Sequence, residues 1–232
     1  MTKTYKFLSF IVVILLCISC EKDKKTNFTL KGYVKGLKKG TVYLQKLNDT
    51  LMVTLDSLEI KGDPNFELSA NISEPELFIL KLDKNDDQEN WVTFFADTGT
   101  TKITSTRKLF NFNAKVQGSE QQKVLEEYKT TLSKLNNRNL DRLQENFENN
   151  TGKTILEQQL QFTKQKYSYT INFAINHNDS EVAPYLALYE IPNTSTLYLD
   201  SIYNSLTDRI KTSKYGKLLK ENIALRKTKD SI

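Results

Sequence analysis

The chain has 232 residues, of which 38% are hydrophobic and 26% charged, the balance of a folded globular protein. Its formal net charge is +5, with 33 basic residues interspersed among 28 acidic ones. A charge so small and so evenly spread excludes a nucleic-acid-binding protein of the basic-patch type. One histidine and two cysteines leave few groups for metal binding or nucleophilic catalysis. We therefore expect no catalytic residues, no metal site and no cofactor.

The N-terminus has the pattern of a secretory signal peptide. A short basic segment precedes the apolar run of residues 7–18, and Ser19 and Cys20 separate that run from the polar residues 21–25. A membrane-spanning helix needs roughly 20 apolar residues. The run is therefore too short for a stable transmembrane anchor and is typical of a cleaved signal.

The end of this run, Leu16-Cys17-Ile18-Ser19-Cys20, resembles a lipobox, where bacterial lipoprotein signal peptidase cleaves before an acylated cysteine. Leucine usually stands three residues before that cysteine, a place that Cys17 holds here, with Leu16 one residue further back. An ordinary signal peptide or a short uncleaved anchor is the alternative. The same segment is formally a C-x-x-C pair, but that redox motif requires a thioredoxin-like βαβ unit, so we reject it.

The lipobox resemblance divides the N-terminal region into two parts. It implies a lipoprotein signal peptide over residues 1–19, lipidation of Cys20, and a polar tether over residues 20–27. Two or more acyl chains hold a protein stably at a membrane. We therefore expect a lipid-anchored protein of the cell envelope, in the outer membrane, on its periplasmic or surface face.

Residues 28–118 alternate short apolar runs with turn residues. Six of the eight glycines of the chain lie between Gly32 and Gly118, together with Pro64 and Pro75. Strands about ten residues apart with such turns predict an antiparallel β-sandwich or barrel-like domain. The runs are 28–34, 41–44, 51–55, 66–68, 77–82, 91–95 and 102–104.

Residues 119–232 are poor in glycine and rich in Leu, Lys, Glu and Gln, so we predict a helical region. A turn at residues 149–152 separates the first two helices into a hairpin, and we expect another helix over residues 215–223. The whole chain is thus predicted to be an α+β protein. The apolar stripes are Val124, Tyr128, Leu132 and Leu135; Leu156, Leu160, Tyr167, Ile171 and Ala174; and Leu199, Ile202, Tyr203, Leu206 and Ile210.

Several motifs in order make residues 28–223 resemble a known domain combination. It is the domain of unknown function, with its following helical segment, that precedes the thioredoxin-like domain in Bacteroidetes-type thiol:disulfide-interchange lipoproteins. The 232 residues contain no thioredoxin-like domain, so we expect no oxidoreductase activity. The motifs are Phe28-Thr29-Leu30-Lys31-Gly32, Asp56-Ser57-Leu58-Glu59-Ile60, Phe66-Glu67-Leu68, Phe95-Ala96-Asp97-Thr98-Gly99, Val116-Gln117-Gly118-Ser119, Asp179-Ser180-Glu181-Val182-Ala183-Pro184-Tyr185-Leu186 and Ser213-Lys214-Tyr215-Gly216-Lys217-Leu218-Leu219.

Three patterns suggest chemistry but favour a structural interpretation. Gly152-Lys153-Thr154 lacks the earlier glycine of a phosphate-binding loop, whose place Phe147 occupies. His177 precedes Asp179 and Ser180, whereas a catalytic triad needs residues that converge from different elements. The acidic segment from Asp83 to Glu89 lacks the spacing and glycine of a calcium loop.

These observations favour a non-catalytic, membrane-anchored envelope lipoprotein with a β-sandwich binding or docking module. The alternative is an accessory subunit of an envelope thiol-redox system that works with a separate thioredoxin-like protein. Two placements of the later helices stay open. Either Tyr185, Leu186, Leu188, Tyr189 and the Leu199–Ile210 stripe pack onto the β domain, or they form a docking face for an envelope protein partner.

Overall fold

A computed structural model describes residues 26–48, 51–84, 90–149 and 154–230 of the chain. Within these residues, strands come first and helices follow, which confirms the predicted α+β class. The strands are β1 (Phe28–Lys35), β2 (Lys39–Asn48), β3 (Leu51–Lys61), β4 (Asn65–Ala70), β5 (Glu76–Asp83), β6 (Trp91–Ala96), β7 (Gly99–Thr106) and β8 (Lys115–Gln117). The helices are α1 (Glu120–Asn149), α2 (Ile155–Asn176), α3 (Val182–Tyr189), α4 (Thr196–Ser205), α5 (Asp208–Thr212) and α6 (Lys214–Asp230).

The strands form two four-stranded sheets, ordered β4-β1-β7-β8 and β3-β2-β5-β6. The prediction of antiparallel pairing holds for β1 with β4, β2 with β3 and β5, β5 with β6, and β7 with β8. It fails for β1 and β7, which pair in parallel. The two strands start at the same end of the domain, because the chain reaches β7 from the opposite sheet through a short turn after β6.

The sandwich core lies between the two sheets, as alternating burial along β1 illustrates. Phe28, Leu30 and Val34 are buried, and Phe28 contacts Phe78 of the other sheet with ring centroids 5.6 Å apart. Gly32 also faces inward, where a Cβ atom would lie 1.9 Å from the ring of Phe66 on β4. Glycine at this position therefore makes room for the aromatic ring of the neighbouring strand.

The helices cover the outer face of the β5–β6 side of the sandwich. Phe95 of β6 is fully buried in a cluster with Leu125, Tyr128, Phe173 and Tyr215. At the strand edge, the Phe95 N–H donates to Gln122 Oε1 at 2.8 Å, so α1 satisfies a donor that an edge strand would leave open.

Two helical predictions need correction. The apolar stripe from Leu199 to Ile210 belongs to two helices rather than one, because Leu206 has φ −58° and ψ 142° and ends α4. Helix α3, which contains Pro184, was not predicted as a helix. The predicted turn at residues 149–152 lies mostly outside the described residues.

The later helices pack as core rather than as a free face. Leu186 and the stripe residues Leu199, Ile202, Leu206 and Ile210 are buried, whereas Tyr185 and Leu188 are half-buried and Tyr189 is exposed. The ring of Tyr185 lies 5.4 Å from that of Phe95, so α3 contacts the sandwich directly. Tyr185 and Leu186 therefore pack against the sandwich, as in the first of the two placements, whereas the Leu199–Ile210 stripe packs against other helices in a separate core with Ala174, Ala187 and Leu219.

Candidate functional site

The predicted lipidation site, Cys20, and the signal peptide lie outside the described residues. Two reciprocal hydrogen bonds hold Asn27, the last residue of the predicted tether: its Nδ2 donates to the Ile72 carbonyl while its Oδ1 accepts from the Ile72 N–H, both at 2.7 Å. The Asn27 carbonyl also accepts from the Gly99 N–H at 2.8 Å. Nothing in the local sequence around Asn27 distinguishes this attachment from the polar residues before it.

Asn27 marks one end of the sandwich, which we call the tether end. Because Phe28 is in register with Ala70 and Gly99, this end also contains the β4–β5 connection and the β6–β7 turn. Lys46 pairs with Phe78 near the start of β5, so β2 ends here as well and β3 begins here. The β2–β3 hairpin therefore turns at the end where the tether enters.

The hairpin exposes a group of apolar side chains at the tether end. We call Leu47, Leu51, Met52 and Val53 the hairpin tip; all four are exposed, and Leu51 is 71% exposed. Leu47 lies opposite Met52 across the strand pair. The residues between the two strands, 49 and 50, lie outside the described range. The sequence predicted a strand here, but a continuous apolar run is more typical of a strand buried on both faces.

A second exposed apolar group lies on the helical arm, which we define as residues 139–149 of α1 and 154–162 of α2. Leu140 and Phe147 are on the side of α1 opposite to Arg142, by helical periodicity, and Leu156 and Leu160 are opposite to Gln158 on α2. All four apolar side chains are exposed. The side chains that line the cleft of about 260 Å³ between the two helices are Asn139, Arg142, Glu145, Asn146, Gln158, Gln161 and Phe162.

Apart from Phe162, the side chains that line the cleft of the arm are thus polar, and four apolar side chains face solvent on the outer sides of the two helices. Arg142 donates to Gln165 across the helix pair at 3.5 Å, and no donor among the described residues reaches the buried Oε1 of Gln158. An interior of this kind adds little hydrophobic stabilisation, and an apolar exterior is a surface that another molecule can cover.

Buried charges join the helices to the tether end of the sandwich. Glu76 at the start of β5 is 3% exposed and forms ion pairs with Lys46 of β2 at 2.6 Å and with Lys214 of α6 at 2.5 Å. The Lys214 N–H donates to Glu74 Oε2 at 2.7 Å, and the Leu77 N–H donates to the Tyr215 hydroxyl at 3.0 Å. With its two oxygens paired with lysines of β2 and α6, Glu76 links the helices to both strands.

Buried tyrosines share this joint between helices and sandwich. Burial raises the pKa of Tyr185 to about 12 and raises the pKa of Tyr128 and of Tyr215 as well. The three hydroxyls stay protonated at neutral pH, so none of them is a general base there.

The structure does not bring His177 together with the residues of a triad. His177 caps the C-terminus of α2, and its Nδ1 lies 2.9 Å from the Phe173 carbonyl oxygen. Ser180 instead donates its hydroxyl proton to Gln121 Oε1 at 2.5 Å. The structural interpretation of His177, a helix-end residue, fits this geometry.

The phosphate-loop-like segment and the acidic segment both lie partly outside the described residues. Gly152 and Lys153 of the former are outside, as is most of the latter after Lys84. Thr154 caps α2: its Oγ1 accepts from the Glu157 N–H at 3.2 Å, and the Thr154 N–H donates to the Glu157 carboxylate at 2.9 Å. Within the described ranges, no group of three or more His, Cys, Asp or Glu residues is placed to hold a metal ion.

No helix in the described part of the chain combines the length and apolar composition that crossing a membrane requires. No curated protein matches the chain. Residues 28–125, which comprise all eight described strands and the start of α1, match the family described as Domain of unknown function (DUF4369).

Proposed function

We propose that the protein is a non-catalytic lipoprotein of the cell envelope, anchored through Cys20, whose β-sandwich serves as a binding or docking module. The observation that carries the proposal is the lipobox-like segment Leu16-Cys17-Ile18-Ser19-Cys20, followed seven residues later by Asn27. Asn27 is hydrogen-bonded to both Ile72 and Gly99, so the folded domain begins directly after a short polar tether.

The length of the tether adds a geometric consequence. Seven residues from Cys20 to Asn27 span at most about 25 Å when fully extended. An acylated Cys20 would therefore keep the tether end of the sandwich within that distance of the bilayer. The helical arm and the remaining surface would stay available for a partner in the envelope.

Metabolic labelling with a radioactive or clickable fatty acid in a Gram-negative host tests the anchor. We expect label in the wild-type protein and none in Cys20→Ala. Cys17→Ala is the matched control, because it removes the other cysteine of the segment and should still be labelled. Label in Cys20→Ala equal to that of the wild type would refute the proposal.

A second candidate function is that of an accessory subunit of an envelope thiol-redox system. Its support is the resemblance of residues 28–223 to the modules that accompany thioredoxin-like domains, together with the exposed Leu140, Phe147, Leu156 and Leu160 of the arm. We expect a thioredoxin-like protein with a C-x-x-C motif to co-purify and Phe147→Ser to weaken its retention. Retention by Phe147→Ser, or an envelope preparation without any such protein, would count against it.

Both candidate functions lead us to expect no disulfide reductase activity in the form from Glu21 onward, which contains no cysteine. The assay is the thioredoxin-type reduction of insulin with dithiothreitol. A rate above that of dithiothreitol alone would contradict the non-catalytic assignment.

A further inference from the structure

We propose that the hairpin tip is a second membrane contact, which seats Leu47, Leu51, Met52 and Val53 in the interfacial region of the bilayer that holds the lipid anchor. This inference rests on the proposed function. It adds an orientation: the tether end of the sandwich faces the lipid, and the strands run away from it.

The hairpin tip lies at the same end of the sandwich as Asn27, the last residue of the proposed tether. The pairing of Lys46 with Phe78 and of Phe28 with Gly99 places both features at this end. A tether no longer than about 25 Å brings this end close to any membrane that holds Cys20. Exposed apolar residues at the opposite end, such as Leu109, are separated from it by the length of an eight-residue strand, about 26 Å.

The side chains of the hairpin tip are exposed to solvent. Three of the tip residues belong to β3, an edge strand of its sheet, and Leu47 is the penultimate residue of β2. Leu51, at 71% exposed, is the most exposed leucine among the described residues. Strand alternation and the pairing of Leu47 with Met52 place these two side chains on one face of the hairpin and Leu51 and Val53 on the other. The tip is therefore apolar on both faces, which water solvates poorly and which the interfacial region of a bilayer accepts when the hairpin enters it end-on.

The charges nearby set the depth of the contact. Lys46 is held by Glu76 at 2.6 Å, so its ammonium group is compensated within the protein. The sequence places Asp49 and Thr50 between the two halves of the tip, and a carboxylate is costly to transfer into hydrocarbon. The contact is therefore at the depth of the headgroups and first methylenes, where a carboxylate remains solvated.

The strength of the contact depends on the tether. Insertion of four side chains into the interfacial region gives only weak membrane binding on its own, as a single acyl chain does. Attachment at Cys20 makes insertion of the tip an intramolecular step, with an effective concentration in the millimolar range. The tip is therefore in contact with the bilayer when the anchor is present. An experiment must therefore use the tethered protein.

The test attaches the mature protein chemically, so that it does not depend on lipidation in cells. The form that begins at Cys20 has this residue as its single cysteine and couples through it to a maleimide-headgroup lipid in phosphatidylcholine vesicles. Trp91 is the only tryptophan and is replaced by Phe in the background. A single tryptophan is then introduced by Leu51→Trp at the tip or by Leu109→Trp as the control at the opposite end, both at exposed leucines.

Quenching by lipids brominated on the acyl chain reports contact with the bilayer. We expect the Leu51→Trp emission to shift to the blue and to be quenched at least about twofold more than that of Leu109→Trp, because contact quenching needs close approach to the acyl chains. Equal quenching of the two variants, whether weak or strong, would overturn the proposal. Failure of lipidation at Cys20 in cells would instead refute the anchor and leave this measurement unaffected.

Discussion

The helical hairpin of α1 and α2 has two halves that are built in opposite ways. Near the sandwich, Leu125, Tyr128 and Phe173 are buried between the helices and the outer face of β6. In the arm, Phe147 and Leu156 are exposed, and the side chains that line the cleft between the helices are polar except for Phe162. The same two elements therefore change from a structural core into an exposed surface along their length.

Neighbouring elements account for the difference. In the near half, Phe95 and Leu77 of the sandwich pack against the hairpin. Leu186 of α3 and Tyr215 of α6 pack in the same cluster, so apolar residues there are buried from several sides. A helix of 30 residues is about 45 Å long, and the far end of α1 lies beside α2 across a polar cleft. We infer that the near half maintains the fold and that the arm contributes little to it.

The largest expected effect separates two phenylalanines of this hairpin. Phe173 is 6% exposed and Phe147 is 71% exposed. Phe173→Ala should lower the free energy of unfolding by about 3–5 kcal/mol, because it leaves a cavity in the joint with the sandwich. Phe147→Ala should change it by less than about 0.5 kcal/mol. Urea denaturation followed by circular dichroism measures both, and similar losses would show that the arm belongs to the core.

A second prediction concerns the charged joint between α6 and the sandwich. Glu76→Gln leaves Lys46 and Lys214 without their buried carboxylate, so we expect a loss of about 2 kcal/mol, less than for fully buried pairs because both lysines are partly solvated. Glu67→Gln is the control, since Glu67 pairs with Lys31 at 3.7 Å on an exposed surface and should cost under about 0.5 kcal/mol. If thermal melting is the same for the two variants, the joint does not hold the helices in place.

Alkaline pH should weaken the near half of the hairpin through its tyrosines. Burial raises the pKa of Tyr185 from 10.0 to about 12, so the folded protein keeps a proton that the unfolded chain releases. This stabilisation is complete below pH 10 and is lost as the pH rises through the folded-state pKa. The free energy of unfolding, measured in urea, should therefore fall between pH 10 and 12.

Tyr185→Phe provides the control for this pH dependence, because phenylalanine keeps the ring contacts and cannot ionise. The variant should show a shallower decline above pH 10 than the wild type. Residues 139–162 contain no tyrosine, so the arm does not contribute to the effect. A decline of equal slope in the two proteins would mean that other groups cause the alkaline loss.

The order of strands and helices was predictable because alternation and helical periodicity depend on local sequence. Gly118-Ser119 marked the boundary, and α1 begins at Glu120. The parallel pairing of β1 with β7 was not predictable, since it depends on contacts between residues about 70 positions apart. The exposure of Leu51 and of Phe147 was not predictable either. Local sequence shows that a residue is apolar, but it does not show whether another element packs over it.

The smallest expected effect tests whether the arm unfolds with the rest of the protein. Thr154 and Glu157 form a capping box at the start of α2, with hydrogen bonds of 3.2 and 2.9 Å, and Thr154→Ala removes the side-chain half of it. Such a change lowers the local stability of a helix by about 1 kcal/mol.

If the arm opens on its own, this loss should appear as roughly fivefold faster amide hydrogen exchange at residues 155–162. The urea midpoint at which the core unfolds should then stay constant, because the arm has already opened at a lower urea concentration. Ser195→Ala is the control, since Ser195 precedes α4 and makes no side-chain capping hydrogen bond. A lower urea midpoint for the core transition in Thr154→Ala, equivalent to a loss of about 1 kcal/mol, would place the arm in the same cooperative unit as Phe173, and the division between the two halves would not hold.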